Sequence, residues 1–366
     1  MKSAFPELER NFGFGMMRLP MKGEDVDLEQ TRDMVDAFLK AGFRYFDTAH
    51  PYIQGKSELA VRDCLASRYP RSEFLLANKL SRNYFETGEE IRPLVLQQLE
   101  LCGVEYFDFY LMHAMSAERH AFFQSIGAYD VVQTLKTEGK LRHVGLSFHD
   151  SAQVLDQILT DRPEMEFVQL QFNYVDLDDP KVQARACWEV CRKHGKPVFV
   201  MEPVKGGSLV NLPEKAREWM TEYSPAGYAI RFCAGYEGIA MVLSGMSTME
   251  QMEDNLKTMT NFVPLSRDEE EMIGRVRTMY QAQHRIPCTA CRYCTDGCPA
   301  GIPIPDVFAC FNDKRQGQGQ PEADFRALEQ GPDACVGCGQ CEEVCPQHLA
   351  IRELLRETAA TFATEA

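Results

Sequence analysis

The chain has 366 residues, room for one large α/β domain and a small appendage, and its 45% hydrophobic and 25% charged residues exclude a disordered or fibrous protein. A formal net charge of −15 sets the field of the whole molecule against phosphate backbones and anionic lipid, so nucleic acid is not an expected partner. No stretch approaches the roughly 18 consecutive apolar residues of a membrane span, and MKSAFPELERNFGFGMMRLP lacks the apolar centre of an export signal, so the reading is a cytoplasmic protein with no membrane partner.

From about residue 12 to 260, short apolar runs alternate with amphipathic segments, the pattern of βα units around a parallel sheet. The expected strands are FGFGMMRL, YFDTA, FLLANKL, FDFYLMH, HVGLSF, FVQLQFN, PVFVME and IAMVLSG. Between the first two, LEQTRDMVDAFLKAG carries Leu28, Val35, Phe38 and Leu39 at helical spacing and stops at Gly42. FGFGMMRL leaves two options, a barrel strand or a hairpin that plugs the barrel floor. SRDEEEMIGRVRTMYQAQ reads as a last helix on the barrel side, and Pro and Cys then replace the βα rhythm at HRIPCTAC. The expected domains are therefore a (β/α)8 barrel over 1–283 and a small domain over 284–366. In the latter, IPIPDVFACFNDKRQ predicts a helix opened by Pro, GQGQPEAD a loop, and HLAIRELLRETAATFATEA a closing amphipathic helix.

Polar residues stand at consecutive strand ends, where βα loops build active sites in a barrel. Asp47 and Tyr52 lie in FDTAHPYIQGKSE, Lys79 in LANKL and His113 in FDFYLMH. Reducing a carbonyl needs hydride at carbon and a proton at oxygen, and a phenol with a pKa of about 10 exchanges protons poorly near neutrality unless a neighbour helps. An ammonium at Lys79 favours phenolate at Tyr52, Asp47 keeps that ammonium charged, and His113 can hydrogen-bond the substrate oxygen. Singly, each residue reads as rim or core; the ordered set is the signal. His50 and His149 lack such placement and read as rim residues.

In these residues the chain resembles the aldo-keto reductases, whose pattern is D-T-A-x-x-Y, then Lys, then D-x-Y-x-x-H at successive strand ends. The resemblance implies a TIM barrel, an NADH or NADPH cofactor held without a G-x-G-x-x-G crossover, and a small carbonyl or alcohol substrate. It implies that Ser147 and Gln169 contact the carboxamide, that Met201 stands where an aromatic ring often covers the nicotinamide, and that PVKGGSL from Pro203 follows the pyrophosphate. Gly206 and Gly207 would allow close backbone approach there, and Asp254 and Asn255 would lie at the adenine end. Departures are Phe148 in place of a common Asn, and Gly245 and Gln251 in place of cations that hold a 2′-phosphate; Lys205 and Arg231 are candidate replacements.

Fourteen cysteines include eight in two tight runs, Cys288-x2-Cys291-x2-Cys294-x3-Cys298-Pro299 and Cys335-x2-Cys338-x2-Cys341-x3-Cys345-Pro346. The others, Cys64, Cys102, Cys187, Cys191, Cys233 and Cys310, are scattered and read as small buried hydrophobes. Disulfide frameworks do not cluster this way, and structural zinc takes two ligand pairs split by a longer loop. Each run matches the bacterial ferredoxin pattern, in which the fourth Cys serves the other cluster. That resemblance implies a ferredoxin-like α+β domain with two [4Fe–4S] clusters, one on Cys288, Cys291, Cys294 and Cys345, the other on Cys335, Cys338, Cys341 and Cys298. The combined expectation is an iron–sulfur-bearing aldo-keto reductase whose clusters act as an electron port or a brace, with a ferredoxin or flavoprotein as candidate electron partner. The rival is an electron-transfer protein whose barrel docks a partner without carbonyl chemistry.

Overall fold

The computed structural model describes residues 5–363, so the outer ends of the two expected domains, 1–4 and 364–366, lie outside the described residues. Eight parallel strands close a barrel: β1 (Phe12–Gly15), β2 (Tyr45–Asp47), β3 (Leu75–Leu80), β4 (Phe107–Met115), β5 (Leu141–Phe148), β6 (Val168–Gln171), β7 (Val198–Met201) and β8 (Ile239–Gly245). Closure runs through β1, which pairs Phe12 with Val242 on one side and Phe14 with Phe46 on the other. FGFG is thus a barrel strand. The floor is plugged by residues upstream of it, Phe5 and Leu8, with the Phe5 ring edge-on to Phe109, Phe167 and Phe199.

Strands covered on both faces read as near-continuous apolar runs, which is why β3 and β4 look so uniform in the sequence. Alternate residues, among them Tyr45, Leu75, Ala77, Phe109, Leu111 and Phe199, fill the barrel interior. At Gly145 the strands approach so closely that a Cβ would lie 2.5 Å from the Phe167 carbonyl oxygen and 2.6 Å from its ring. Gly145→Ala is expected to cost about 1–3 kcal/mol through overpacking, read as a lower midpoint of chemical unfolding.

The chain forms two compact units, one running up to Pro203 and including Ala226–Ser266, the other made of Val204–Pro225 and the residues from Arg267 on. A single cut at residue 284 divides the chain differently. Helix Arg267–Gln281 goes with the tail because its Tyr280 hydroxyl donates to Ser208 Oγ at 3.0 Å and Arg275 covers the Trp219 ring at 4.9 Å. The expected helices appear as Ile304–Gln316 and Ile351–Ala363. GQGQPEAD, expected as a loop, instead opens helix Pro321–Arg326. Proline suits that first position, and Phe325 stacks on Phe362 with ring centroids 4.0 Å apart, a contact the local sequence does not announce.

Among the described residues no strand follows β8, so the tail's regular elements are all helical where an α+β mixture was expected. Left-handed backbone at Ala290 (φ 52°), Arg292 (φ 66°), Gly337 (φ 76°) and Gly339 (φ 85°) breaks any extended run through the cysteines. The tail has its own core of Ile286, Ile302, Val307, Phe308, Phe311 and Leu355, with the cysteines packed on it. Among the described residues no helix is long and apolar enough to cross a membrane.

Candidate active site and cysteine cavities

Lys79, the fifth residue of β3, is 1% exposed, and its ammonium donates to Asp47 Oδ1 at 2.6 Å and to the Thr48 carbonyl at 2.8 Å. The same nitrogen sits 4.7 Å from the Tyr52 ring centroid. Tyr52 and His113 meet edge to face with centroids 6.2 Å apart. The four residues that sequence reasoning singled out therefore come together at the C-terminal ends of β2, β3 and β4.

Burial pushes the Asp47 carboxyl up and the Lys79 ammonium down, and their mutual contact opposes both shifts. Asp47 Oδ2 is buried with no hydrogen-bond partner among the described residues, so Lys79 and its surroundings carry the whole charge of this carboxylate. Burial first, and the Lys79 charge second, hold the His113 imidazole well below its ordinary value of 6.5. Ser81 Oγ lies 2.6 Å from His113 Nδ1. With the serine hydroxyl donating to Nδ1, the imidazole proton sits on Nε2, the arrangement of a neutral hydrogen-bond donor.

Several supporting residues escaped the sequence reading because their partners come from distant segments. Glu58 is wholly buried; Asn78 Nδ2 donates to its Oε1 at 2.8 Å, and His50 Nδ1 lies 2.6 Å from its Oε2. Asn78 Oδ1 accepts from the Lys79 backbone N–H at 2.8 Å, and Gln98 donates to the Lys79 carbonyl at 3.0 Å. This network fixes the backbone that presents Lys79. His50, expected on the rim, belongs to it. Just after Tyr52, Ile53 (φ 51°) and Gln54 (φ 54°) are both left-handed. Such positions cost about 1–3 kcal/mol each and are found where surroundings over-determine them. Here the Tyr52 N–H is held by the Ala49 carbonyl at 3.0 Å, and Thr48 and Ser57 hydroxyls meet at 2.7 Å.

Ser147 on β5 and Gln169 on β6 are register partners, so their side chains stand side by side. The Ala114 N–H donates to Ser147 Oγ at 2.7 Å, which leaves the hydroxyl proton for another acceptor. Gln169 Oε1 is buried and has no partner among the described residues. Met201 ends β7, and Phe148 ends β5 fully buried. Asp254 and Asn255 lie on helix Met249–Thr260, where Asn255 donates to Ser244 Oγ at 2.9 Å. Pro203 closes the barrel unit's first segment, while Gly206 and Gly207 belong to the other unit. Arg231 is held by the Val263 carbonyl at 2.8 Å and the Pro264 carbonyl at 3.2 Å, and Lys205 is buried. The side chain that covers Gly245 is Arg18, which pairs with Glu202 at 3.7 Å.

The eight clustered thiols line two cavities. Cys288, Cys291, Cys294 and Cys345 line the first, with Thr289 and Phe308; Cys335, Cys338, Cys341 and Cys298 line the second, with Val336 and Leu355. In each, the fourth Cys of one run joins the first three of the other. Four thiols around a shared space, supplied by two C-x2-C-x2-C-x3-C runs, suit a multi-iron cluster. The remaining six cysteines are all buried.

Comparisons with known proteins match the chain in two stretches. A family model described as "Aldo/keto reductase family" matches residues 11–277, and one described as "4Fe-4S dicluster domain" matches residues 287–350. An aldo-keto reductase of Mycolicibacterium vanbaalenii is 29% identical over 238 residues, covering 64% of this chain and 79% of that protein. The NADH-specific methylglyoxal reductase of Escherichia coli is 25% identical over 208 residues, 52% of this chain and 61% of that protein. Among solved structures, the holo form of an aldo-keto reductase from Bacillus halodurans superposes with a TM-score of 0.60 at 23% identity, over 73% of this chain and 91% of that one. An aldo-keto reductase from Klebsiella pneumoniae in complex with NADPH gives 0.60 at 17%, over 73% and 90%.

Proposed function

The chain belongs to the aldo/keto reductase family and carries a 4Fe-4S dicluster domain near its C-terminal end, and from that premise we propose that it interconverts a small carbonyl and its alcohol with a nicotinamide cofactor. The observation that carries the reading is the buried Gln169 Oε1, without a partner among the described residues, beside a Ser147 hydroxyl whose oxygen already accepts a hydrogen bond. One acceptor and one donor side by side match the amide nitrogen and oxygen of a carboxamide. When bound, the nicotinamide supplies or takes the hydride.

The chain's own residues handle the proton and the oxygen. Tyr52 gives its hydroxyl proton to the carbonyl oxygen as negative charge develops there, and Lys79, against the ring, stabilises the phenolate left behind. Asp47 keeps that ammonium charged in a buried site. His113, neutral with Nε2–H, donates to the same oxygen and orients it. Because burial and Lys79 keep His113 neutral, kcat/KM is expected to show no ionisation near the ordinary imidazole value of 6.5 between pH 6 and 8. A barrel that merely docked a partner would have no use for a buried Lys–Asp pair under a tyrosine, which costs desolvation without a chemical return.

NADH is the favoured cofactor. Gly245 and Gln251 offer no cation, Arg231 is engaged by backbone carbonyls, and Arg18 over Gly245 is already paired with Glu202. Absence of cations at positions 245 and 251 removes charge-assisted bonds to a 2′-phosphate dianion, which a ribose hydroxyl does not need. The E. coli relative named as NADH-specific is consistent with this preference.

The two cavities would hold one [4Fe–4S] cluster each, and cluster binding would brace the tail, since metal binding free energy becomes folding free energy. Cys338 and Val336, 69% exposed, open the second cavity to solvent, which suits electron exchange with a ferredoxin or flavoprotein. The loaded protein should contain about eight irons, two cubes of four. Cys345→Ser is expected to perturb the electron paramagnetic resonance signal of the cluster on Cys288, Cys291 and Cys294; perturbation of the other signal alone would reverse the crossing. Anaerobic incubation of loaded protein with NADH and a panel of aldehydes tests the activity. Alcohol formed in step with NADH consumed supports it; no alcohol from any member of the panel contradicts it.

A further inference from the structure

The two cysteine runs keep one register well beyond the thiols. Ile304 follows Cys288 at the same distance as Ile351 follows Cys335, and each isoleucine begins the helix after its run, Ile304–Gln316 or Ile351–Ala363. The backbone repeats as well. Ala290 (φ 52°) and Arg292 (φ 66°) in the first run match Gly337 (φ 76°) and Gly339 (φ 85°) in the second, and Arg292 and Gly339 each precede a single helical turn, Tyr293–Asp296 or Gln340–Glu343.

One side chain departs from that repeat. The residue after the second thiol is Arg292 in the first run and Gly339 in the second. Arg292 lines the first cavity. Gly339 has no side chain to offer, yet a guanidinium lines the second cavity all the same, that of Arg352, whose Cζ would lie 3.6 Å from a Cβ on Gly339. Arg352 comes from the following helix, at the position that Pro305 holds in the first half.

The carboxylate partners are exchanged in the same way. In the first half the arginine is on the loop and Asp306 on the helix, joined through Nη1 at 3.1 Å and Nη2 at 2.7 Å. In the second, Glu342 on the loop's helical turn accepts from Arg352 Nη2 at 2.7 Å, from Nε at 3.0 Å and from the Arg352 backbone N–H at 2.8 Å. Arg352 Nη1 also donates to the Gly337 carbonyl at 3.3 Å. In each half the arginine, and not its carboxylate, stands in the cavity wall. Exposed ion pairs add little to stability, so tying loop to helix does not by itself explain a guanidinium supplied from a different position. What both halves keep is positive charge at the wall of a cavity lined by four thiols.

We propose that Arg352 is a potential-setting residue of the second cluster and Arg292 its weaker counterpart at the first, each guanidinium favouring one-electron reduction of the cluster beside it. This rests on the reading of one [4Fe–4S] cluster per cavity. Reduction adds one electron and forms or breaks no bond, so a fixed cation at the wall eases it, and net charge near a cluster is one of the quantities that set its potential. Arg352 and Glu342 are 42% and 23% exposed against 57% and 41% for Arg292 and Asp306, so solvent screens the second pair less. Exposed Cys338 lines the same cavity, so the charge favours an electron resting where an outside partner reaches it.

The test is anaerobic redox titration of the loaded protein with dithionite, followed by electron paramagnetic resonance, with Cys291→Ser and Cys338→Ser assigning the signals to the first and second clusters. Arg352→Gln should make the second cluster about tenfold harder to reduce at a given poise, about 59 mV for one electron, and move the first cluster less. Glu342→Gln should shift the second cluster the opposite way. Arg352→Lys, which keeps the charge, should stay closer to wild type than Arg352→Gln does, and Arg292→Gln should lower the first potential by a smaller factor. A bridge that only tied loop to helix would move Arg352→Gln and Glu342→Gln in the same direction, which overturns the proposal, as does an unchanged potential in either glutamine variant of an arginine. If Arg352→Gln loses iron, Glu342→Gln decides alone: an upward shift of the second potential supports the proposal, and no shift or a downward one overturns it. Loaded wild type without two distinct paramagnetic centres overturns the cluster reading itself.

Discussion

Tyr52→Phe is expected to lower kcat for NADH-coupled carbonyl reduction by about 10²–10⁴-fold, the usual worth of a positioned general acid, while leaving the cluster spectra and the NADH dissociation constant close to wild type. The substitution removes one oxygen from a side chain that is otherwise packed by its ring, with Lys79 Nζ on one face and the His113 edge beside it. Neither of these ring contacts depends on the hydroxyl, so the ring should keep its place. The loss should fall on kcat rather than KM, because proton delivery matters in the transition state and not in substrate binding. Steady-state kinetics with one aldehyde at several pH values suffices. Retention of the wild-type rate would remove Tyr52 from the chemistry.

Lys79→Met is the second large effect, and it appears in stability as well as rate. Removing one partner of a buried pair leaves an uncompensated charge and typically costs about 3–5 kcal/mol. Among the described residues Asp47 would then have no hydrogen-bond partner on either oxygen, since Lys79 is the donor to Oδ1 at 2.6 Å. The sign with pH follows from the direction of the shift. Burial already raises the Asp47 carboxyl above its ordinary 3.8, and without the ammonium nothing opposes that rise. A carboxyl with a raised folded-state pKa is penalised fully above that raised value and not at all below the unfolded one. Lys79→Met should therefore be most destabilised at neutral and alkaline pH and approach wild type as pH falls toward about 4. Asp47→Asn combined with Lys79→Met should recover much of the loss, because no charge is then buried. Chemical unfolding at several pH values checks all three statements; a penalty independent of pH would mean that the Asp47 charge is not the cause.

The barrel was legible because each parallel strand is buried on both faces and the strand ends carry the polar residues in order, so eight apolar runs map onto β1–β8. FGFG illustrates the limit. Four residues cannot announce whether they pair with β8 or fold back as a hairpin, and the true plug, Phe5 with Leu8, is recognisable only by the rings it meets at Phe109, Phe167 and Phe199. The same reason hid helix Pro321–Arg326, stabilised by Phe325 on Phe362. The grouping of the thiols followed from the resemblance of both runs to the ferredoxin pattern, in which the fourth Cys serves the other cluster, and the two cavities are lined in that grouping.

Site residues that act through distant partners were not legible. Nothing near Ser81 in the chain points to His113 Nδ1, and nothing near Glu58 points to Asn78 or to the backbone of Lys79. Gly206 looked like a glycine for a phosphate, yet its missing side chain makes room for Thr289, more than eighty residues away in the sequence. Close backbone approach leaves the same mark on a sequence whichever partner requires it.

Loaded protein incubated with an aldehyde substrate and NADH carrying deuterium at both nicotinamide C4 positions tests the central claim, with the alcohol analysed by mass spectrometry and NMR. Direct hydride transfer beside Tyr52 predicts one deuterium on the carbinol carbon of each alcohol molecule formed, with about 10²–10⁴-fold less alcohol from Tyr52→Phe over the same interval. Alcohol without deuterium at that carbon, formed at the wild-type rate, would mean that electrons reach the substrate by another route and would contradict the account.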